Sequence, residues 1–260
     1  MSQGVAVFDS GLGGLTVVRA LRAQLPGEDF LYFADTRYLP YGDKPEGFLR
    51  ERGVAIARAL AARGAKALVI ACNTATAAAA EAIRAATHLP IVALEPGVKP
   101  AAALTRSGVI GVLATTRTLD SERFQRLVGN HANHVRVVAR ACPGLAEAIE
   151  AGGAGSPEVE ALLDVHVAPL AEAGADVVVL GCTHYPWVAE AIARRMPAGT
   201  TLLDTGEAVA RQLDRLLAAS SLLGGGSGRL SVATSGAPGR VAATVDRLWG
   251  HHLPVEHWEP

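Results

Sequence analysis

The sequence predicts an α/β protein built as two similar parallel-sheet domains, and three observations carry that reading. Short β-branched runs alternate with longer Ala-rich amphipathic segments, which is the pattern of βαβ units. Two of the runs end alike. Ala67-Leu68-Val69-Ile70-Ala71 leads into Cys72-Asn73-Thr74-Ala75-Thr76, and Val177-Val178-Val179-Leu180-Gly181 leads into Cys182-Thr183-His184-Tyr185-Pro186. The surroundings of the two cysteines also echo each other. Glu81-Ala82-Ile83 follows the first and Glu190-Ala191-Ile192 the second, while Gly4 to Ser10 finds its counterpart in Gly108 to Thr116. Such a repeat predicts two pseudo-symmetric α/β domains facing each other across a cleft, each bringing one cysteine to a site there. The first is expected over residues 1–95 with a return at 207–260, the second over 96–206.

The expected strands are Val5 to Phe8, Phe30 to Ala34, Leu68 to Ala71, Ile91 to Leu94, Val109 to Ala114, Val135 to Arg140, Val177 to Leu180 and Thr201 to Leu203. Each is a short apolar run bounded by turn residues. Leu230 to Thr234 and Val255 to Trp258 close the series. Between them, apolar residues recur at helical spacing over Leu15 to Gln24, Phe48 to Ala62, the segment ending Glu81 to Ala86, and Val159 to Ala173. Gly224 to Gly228 is a loop by composition.

Composition narrows the function classes. Half of the 260 residues are hydrophobic and 19% are charged, enough apolar material for a large core and too little charge for disorder. A net charge of −1 offers no basic field for nucleic acid. Three cysteines make no disulfide framework, and their odd number favours free thiols in a reducing compartment. No basic leader precedes the first strand, and no apolar run approaches the roughly 18 residues a bilayer span needs. A soluble cytoplasmic protein without membrane association is expected.

Four motifs follow strands, at the sheet edge where open α/β folds bind ligands. Phe8-Asp9-Ser10-Gly11-Leu12-Gly13-Gly14 is a glycine-rich turn whose amides could cradle an anion, or one in which Asp9 caps a helix. It is neither a Walker loop nor a Rossmann fingerprint. Asp35-Thr36-Arg37-Tyr38-Leu39-Pro40-Tyr41-Gly42 reads singly as a tight turn anchored by an aromatic. Cys72 and Cys182 could each be a small buried hydrophobe, as is expected of Cys142. Asn73-Thr74 and Thr183-His184 beside them are polar groups that core packing does not need, and a helix N-terminus favours thiolate. No zinc spacing and no Cys-x-x-Cys accompanies either cysteine, so neither metal nor redox chemistry is expected. His131, His134, His251, His252 and His257 read as surface residues, and His88 and His166 as structural.

Together, Phe-Asp-Ser-Gly at 8–11, Asp-Thr with Pro-Tyr-Gly at 35–42, Cys-Asn-Thr-Ala at 72–75 and Gly-Cys-Thr-His-Tyr-Pro at 181–186 resemble glutamate racemase over essentially the whole chain. The resemblance implies cofactor-independent racemisation of glutamate, supplying D-glutamate for peptidoglycan, in a cytoplasmic enzyme that is often a homodimer. It implies that Cys72 and Cys182 are the catalytic thiols, Cys72 taking the proton of D-glutamate and Cys182 that of L-glutamate. Asp9 and His184 would assist them. Asp9, Ser10, Tyr41, Gly42, Asn73, Thr74, Thr183 and His184 would hold the substrate, joined by Thr115 or Thr116. An auxiliary carboxylate matches Glu150, with Glu147 as its rival, because the segment from Gly144 to Ile149 departs from the family pattern. Two other readings use the same cleft: a racemase of a shorter dicarboxylate such as aspartate, and a non-catalytic amino-acid-binding protein.

Overall fold

The structure, a computed structural model, describes residues 4–260. The chain divides into two compact units, one formed by residues up to Leu94 together with Gly206–Pro260, the other by Glu95–Thr205. Each division falls one residue before the boundary expected from the repeat.

The first unit opens with β1 (Val5–Asp9), α1 (Leu15–Gln24), β2 (Phe30–Ala34), α2 (Glu46–Ala62), β3 (Ala67–Ile70), α3 (Asn73–Ala86) and β4 (Ile91–Ala93). The second unit follows with α4 (Val98–Leu104), β5 (Val109–Ala114), α5 (Thr116–Asp120), α6 (Glu122–His131), β6 (Arg136–Ala141), α7 (Leu145–Gly152), α8 (Pro157–Glu172), β7 (Val177–Gly181), α9 (Ala189–Ala193) and β8 (Thr201–Leu203). The first unit then resumes with α10 (Gly206–Ala219), β9 (Leu230–Thr234), α11 (Pro238–Trp249) and β10 (Val255–His257).

Every strand pairing is parallel. The first sheet runs β10-β9-β2-β1-β3-β4 and the second β6-β5-β7-β8. The last four strands of the first sheet and all four of the second thus share one order, with β1 matching β5 and β3 matching β7. That correspondence is the repeat read from the sequence, and it puts Cys72 and Cys182 at equivalent positions.

Continuous apolar runs form these strands because both faces of a parallel sheet are covered by helices. Val5–Asp9, Phe30–Ala34 and Ala67–Ile70 are buried at every residue. Phe8, Phe33, Ile56, Leu60, Leu68, Ile70 and Ile83 belong to one core cluster, where α2 and α3 lie against the sheet. Each such side chain contributes about 1.5–3 kcal/mol on burial. In the second unit, Val98, Ile110, Val112, Phe124 and Val179 fill the corresponding space.

The structure shifts several expected limits. β3 and β6 are displaced by one residue, and α8 begins at Pro157, with Ser156 capping it by accepting the Val159 amide. α3 starts at Asn73 itself, so Asn73 and Thr74 lie in its first turn. His131 is half-buried rather than exposed, whereas His134, His251, His252 and His257 are surface residues. The segment around Gly224–Gly228 is a loop, held by the buried pair Lys66–Glu28 (2.5 Å), whose members also bond the Leu222 and Gly224 backbone.

Candidate active site

In the first unit the site is assembled by the turns after β1, β2 and β3. The register aligns Phe8 with both Phe33 and Ile70, so these strands finish level and their following residues meet. Asp9 does not cap α1 in the ordinary sense; the N-cap is Gly14 and carries no side-chain bond. Instead its buried carboxylate accepts the amides of Ser10 (2.7 Å) and Gly14 (2.5 Å), and folds the glycine turn around itself. A Cβ on Gly14 would come within 2.8 Å of Asp9 Oδ2, which is why glycine is needed there. The Tyr32 hydroxyl donates to the Gly11 carbonyl (2.7 Å) and lies 3.2 Å from Asp9.

Cys72 is the N-cap of α3, and its sulfur accepts the Ala75 amide at 3.4 Å. Four orphan amides and the positive end of the helix face that position, an arrangement that favours thiolate. Ser10 Oγ lies 3.5 Å from Cys72 Sγ and 3.3 Å from Asp9 Oδ1. A hydroxyl can accept from one neighbour while donating to another, so Ser10 can pass a proton between thiol and carboxylate. Asn73 Oδ1, beside them, is buried and has no hydrogen-bond partner. A buried acceptor left unpaired is an outlier among folded proteins, and this one can receive an ammonium or amide donor from a ligand.

Tyr41 and Gly42 lie in a short 3-10 turn, Tyr41–Asp43, that follows the cis Leu39–Pro40 bond. Tyr41 is buried, packs edge-on against Phe8 and donates its hydroxyl to Asp35 (2.5 Å). Burial and the neighbouring carboxylate push its hydroxyl far above the ordinary tyrosine range, so it stays a donor. The tight, aromatic-anchored turn read from the sequence is present, and its side chain faces a buried carboxylate.

In the second unit Cys182 follows β7 after Gly181. A Cβ at Gly181 would meet the Leu113 carbonyl at 2.8 Å, so β7 approaches β5 more closely there than another residue allows. The helix expected after this cysteine is only a four-residue 3-10 turn, Tyr185–Val188, before the short α9. The helix-dipole argument therefore applies to Cys72 and not to Cys182. An imidazole takes its place: His184 Nδ1 lies 3.6 Å from Cys182 Sγ, and His184 Nε2 lies 2.7 Å from Glu150 Oε1. Burial opposes charge on this ring, but the hydrogen bonds to Cys182 and Glu150 prevail and raise His184 well above its ordinary value. It is thus held as a proton donor beside the thiol.

Glu150, on α7, makes this contact, whereas Glu147 acts on Tyr185 through its charge. Thr183 is buried in the turn. Thr115 caps α5 by accepting the Thr118 amide (3.2 Å) and donates its hydroxyl to Thr118 Oγ1 (2.9 Å), while Thr116 is exposed. Cys142 is buried and burial pushes its thiol up to about 12, consistent with the packing role expected of it. His166 is buried in α8, with burial lowering its pKa.

Sequence reasoning missed Asp35 as a buried anchor and Arg52 as its partner. Arg52 lies on α2, where a basic residue reads as a solvated face, and no local signal marks it. Among the described residues, no three His, Cys, Asp or Glu side chains converge as a metal site requires, and no helix is long and apolar enough to cross a membrane.

Comparison with known proteins places this geometry in a family. The chain is 50% identical to glutamate racemase of Pseudomonas aeruginosa over 251 residues, covering 96% of this chain and 95% of that protein. Its fold is similar to that of an Escherichia coli glutamate racemase solved with L-glutamate and an activator, with a TM-score of 0.85, 30% identity and coverage of 98% and 97%. It is also similar to a Francisella tularensis glutamate racemase solved with D-glutamate, with a TM-score of 0.86, 26% identity and coverage of 100% and 98%. The Asp/Glu/Hydantoin racemase family matches residues 44–213, a span that includes Cys72, Glu150 and Cys182, and the chain belongs to that family.

Proposed function

We propose that the protein is a glutamate racemase that interconverts L- and D-glutamate with two thiols and no cofactor. The observation that carries this reading is the duplicated arrangement itself. Equivalent turns of the two units each hold a buried cysteine, and each cysteine has its own proton-handling partner: Ser10 with Asp9 for Cys72, and His184 with Glu150 for Cys182. The relatives solved with L-glutamate and with D-glutamate support the choice of substrate.

Inversion at an α-carbon requires removal of its proton from one face and delivery of a proton to the other. Thiols suit both tasks, since their ordinary pKa of about 8.5 leaves thiol and thiolate both accessible near neutrality. Cys72 takes the proton of D-glutamate while Cys182 supplies one; for L-glutamate the roles exchange. Ser10 and Asp9 reset Cys72, and the Glu150-oriented imidazole of His184 resets Cys182. Charge that develops at the α-carboxylate is met by amides and hydroxyls of Ser10, Asn73, Thr74 and Thr183. The unpaired Asn73 Oδ1 suits the substrate ammonium. Tyr41, Gly42, Thr115 and Thr116 complete the substrate contacts. The protein then serves peptidoglycan synthesis in the cytoplasm as a homodimer, which sedimentation of the purified protein tests.

The test is proton NMR of each glutamate enantiomer with purified protein in D₂O without added cofactor. Loss of the α-proton signal from both, with decay of optical activity, is expected. Absence of exchange with reduced thiols overturns the proposal, and exchange of aspartate in place of glutamate moves it to the shorter dicarboxylate.

A further inference from the structure

We infer that Arg52 is a positioning residue for the turn that carries Tyr41 and Gly42, acting through the buried carboxylate of Asp35. The inference rests on the proposal that this turn contacts the substrate. Asp35 is wholly buried and Arg52 nearly so, with 10% of its side chain exposed. The guanidinium grips the carboxylate with two bonds, Nε to Oδ2 at 3.0 Å and Nη2 to Oδ1 at 2.7 Å. The Tyr41 hydroxyl closes on Oδ2 of the same carboxylate at 2.5 Å. Asp35 therefore has its two oxygens fixed from one side by a planar fork and delivers that fixed direction to Tyr41. A bidentate pair specifies orientation as well as charge.

Arg52 is itself held from three directions. Its guanidinium lies 4.6 Å from the centroid of the Tyr38 ring, over its face. Nη2 donates its second hydrogen to Glu259 Oε1 and Nη1 donates to the Pro260 carbonyl, both at 3.1 Å. Glu259 is in turn bonded by Arg37 at 3.3 Å. The last residues of the chain thus reach back to the loop over 35–43, and Trp258 packs against Phe33 with ring centroids 4.9 Å apart. Arg52 touches no candidate substrate-binding atom directly, so its effect on catalysis passes through Asp35 and Tyr41.

The experiment measures kcat and KM in both directions for Arg52→Met, Tyr41→Phe, their double variant and Glu259→Gln, each below its own melting midpoint. Arg52→Met is expected to raise KM roughly ten- to a hundredfold while kcat falls less than about threefold, the pattern of lost positioning in binding. Glu259→Gln, which leaves the Asp35 bonds in place, is expected to raise KM about two- to threefold. In the Tyr41→Phe background, Arg52→Met is expected to add little, because the link it acts through is gone. A folded Arg52→Met that melts lower yet keeps wild-type KM overturns the inference, as does full additivity with Tyr41→Phe. Should Arg52→Met not fold, Arg52→Lys replaces it in the same cycle. Unchanged KM in both Arg52→Lys and Glu259→Gln is then the refuting result. Wild-type protein measured alongside separates the two claims: its failure to racemise glutamate removes the proposed function, whereas altered stability alone in the variants removes only the role of Arg52.

Discussion

The turns after β3 and β7 are equivalent in topology and unlike in chemistry. Cys72 starts a fourteen-residue helix and accepts one of its amides, with Ser10 and Asp9 arriving from the next turn of the sheet. Cys182 starts no such helix, and its positive partner is an imidazole two residues later, oriented by Glu150. One unit surrounds its thiol with a backbone amide and a hydroxyl-linked carboxylate, the other with a side-chain dyad. Duplication of a fold therefore preserves where a cysteine sits more faithfully than what surrounds it. Strand order fixes the position, whereas the environment depends on a few residues in each turn.

The largest effects test what the halves share. Cys72→Ser and Cys182→Ser are each expected to cut racemisation by about 10³-fold or more while the protein stays folded, since a hydroxyl is far harder to ionise than a thiol. Retention of more than about a tenth of wild-type rate by either variant defeats the two-thiol proposal, and steady-state polarimetry decides it.

Next come the partners, where the halves should diverge. His184→Asn is expected to lower kcat about 10²-fold, with only a modest change in melting temperature. Asp9→Asn should lose a similar factor and also lose stability, about 1–3 kcal/mol. Its amide would turn a donor toward the Ser10 or Gly14 N–H, each of which needs an acceptor. Equal melting temperatures for the two variants would break the distinction between a partner that mainly serves its thiol and one that also forms the turn.

Glu150→Gln should reduce rate about tenfold, because His184 keeps a hydrogen-bond partner but loses the charge that raises it. The pH dependence of stability sharpens this further. A histidine raised in the folded state contributes its full stabilisation below the unfolded pKa of about 6.5, and loses it as pH rises through the folded value. The stability gap between wild type and Glu150→Gln, measured by urea unfolding, is expected to be widest between about pH 5 and 6.5 and to narrow above. Glu147→Gln should show no such pH dependence. Smallest is Cys142→Ala, expected to cost about 1 kcal/mol by cavity formation and to leave the rate within about twofold.

Much of this was legible in the sequence because its signals were local. A run such as Val177 to Leu180 between turn residues can hardly be anything but a buried strand, and Leu15 to Gln24 carries its own helical period. The two cysteine turns were legible because each motif is contiguous and because one half corroborates the other. What stayed hidden depends on contacts between distant residues. Asp35 and Arg52 are 17 positions apart, and nothing in the helix pattern of Glu46–Ala62 shows that its one inward guanidinium meets a buried carboxylate. Glu150 and Glu147 are separable only by which of them faces His184. The shortened helix after Cys182 was misread because Pro186 and Trp187 permit a helical start without revealing that it ends after one turn.

The order of the chain also bears on how the molecule is made. The second unit is one uninterrupted stretch, Glu95–Thr205, and all of it leaves the ribosome before the first unit has its full complement of residues. β2 waits for β9, which pairs with it some 200 residues later, from Phe30 with Leu230 to Ala34 with Thr234. Glu259 reaches Arg52 later still. During vectorial synthesis the half carrying Cys182 can close early, while the half carrying Cys72 is finished last. Limited proteolysis of stalled nascent chains should find residues 95–205 protected before residues 4–94, so that Cys72 is housed only after residues 206–260 have emerged.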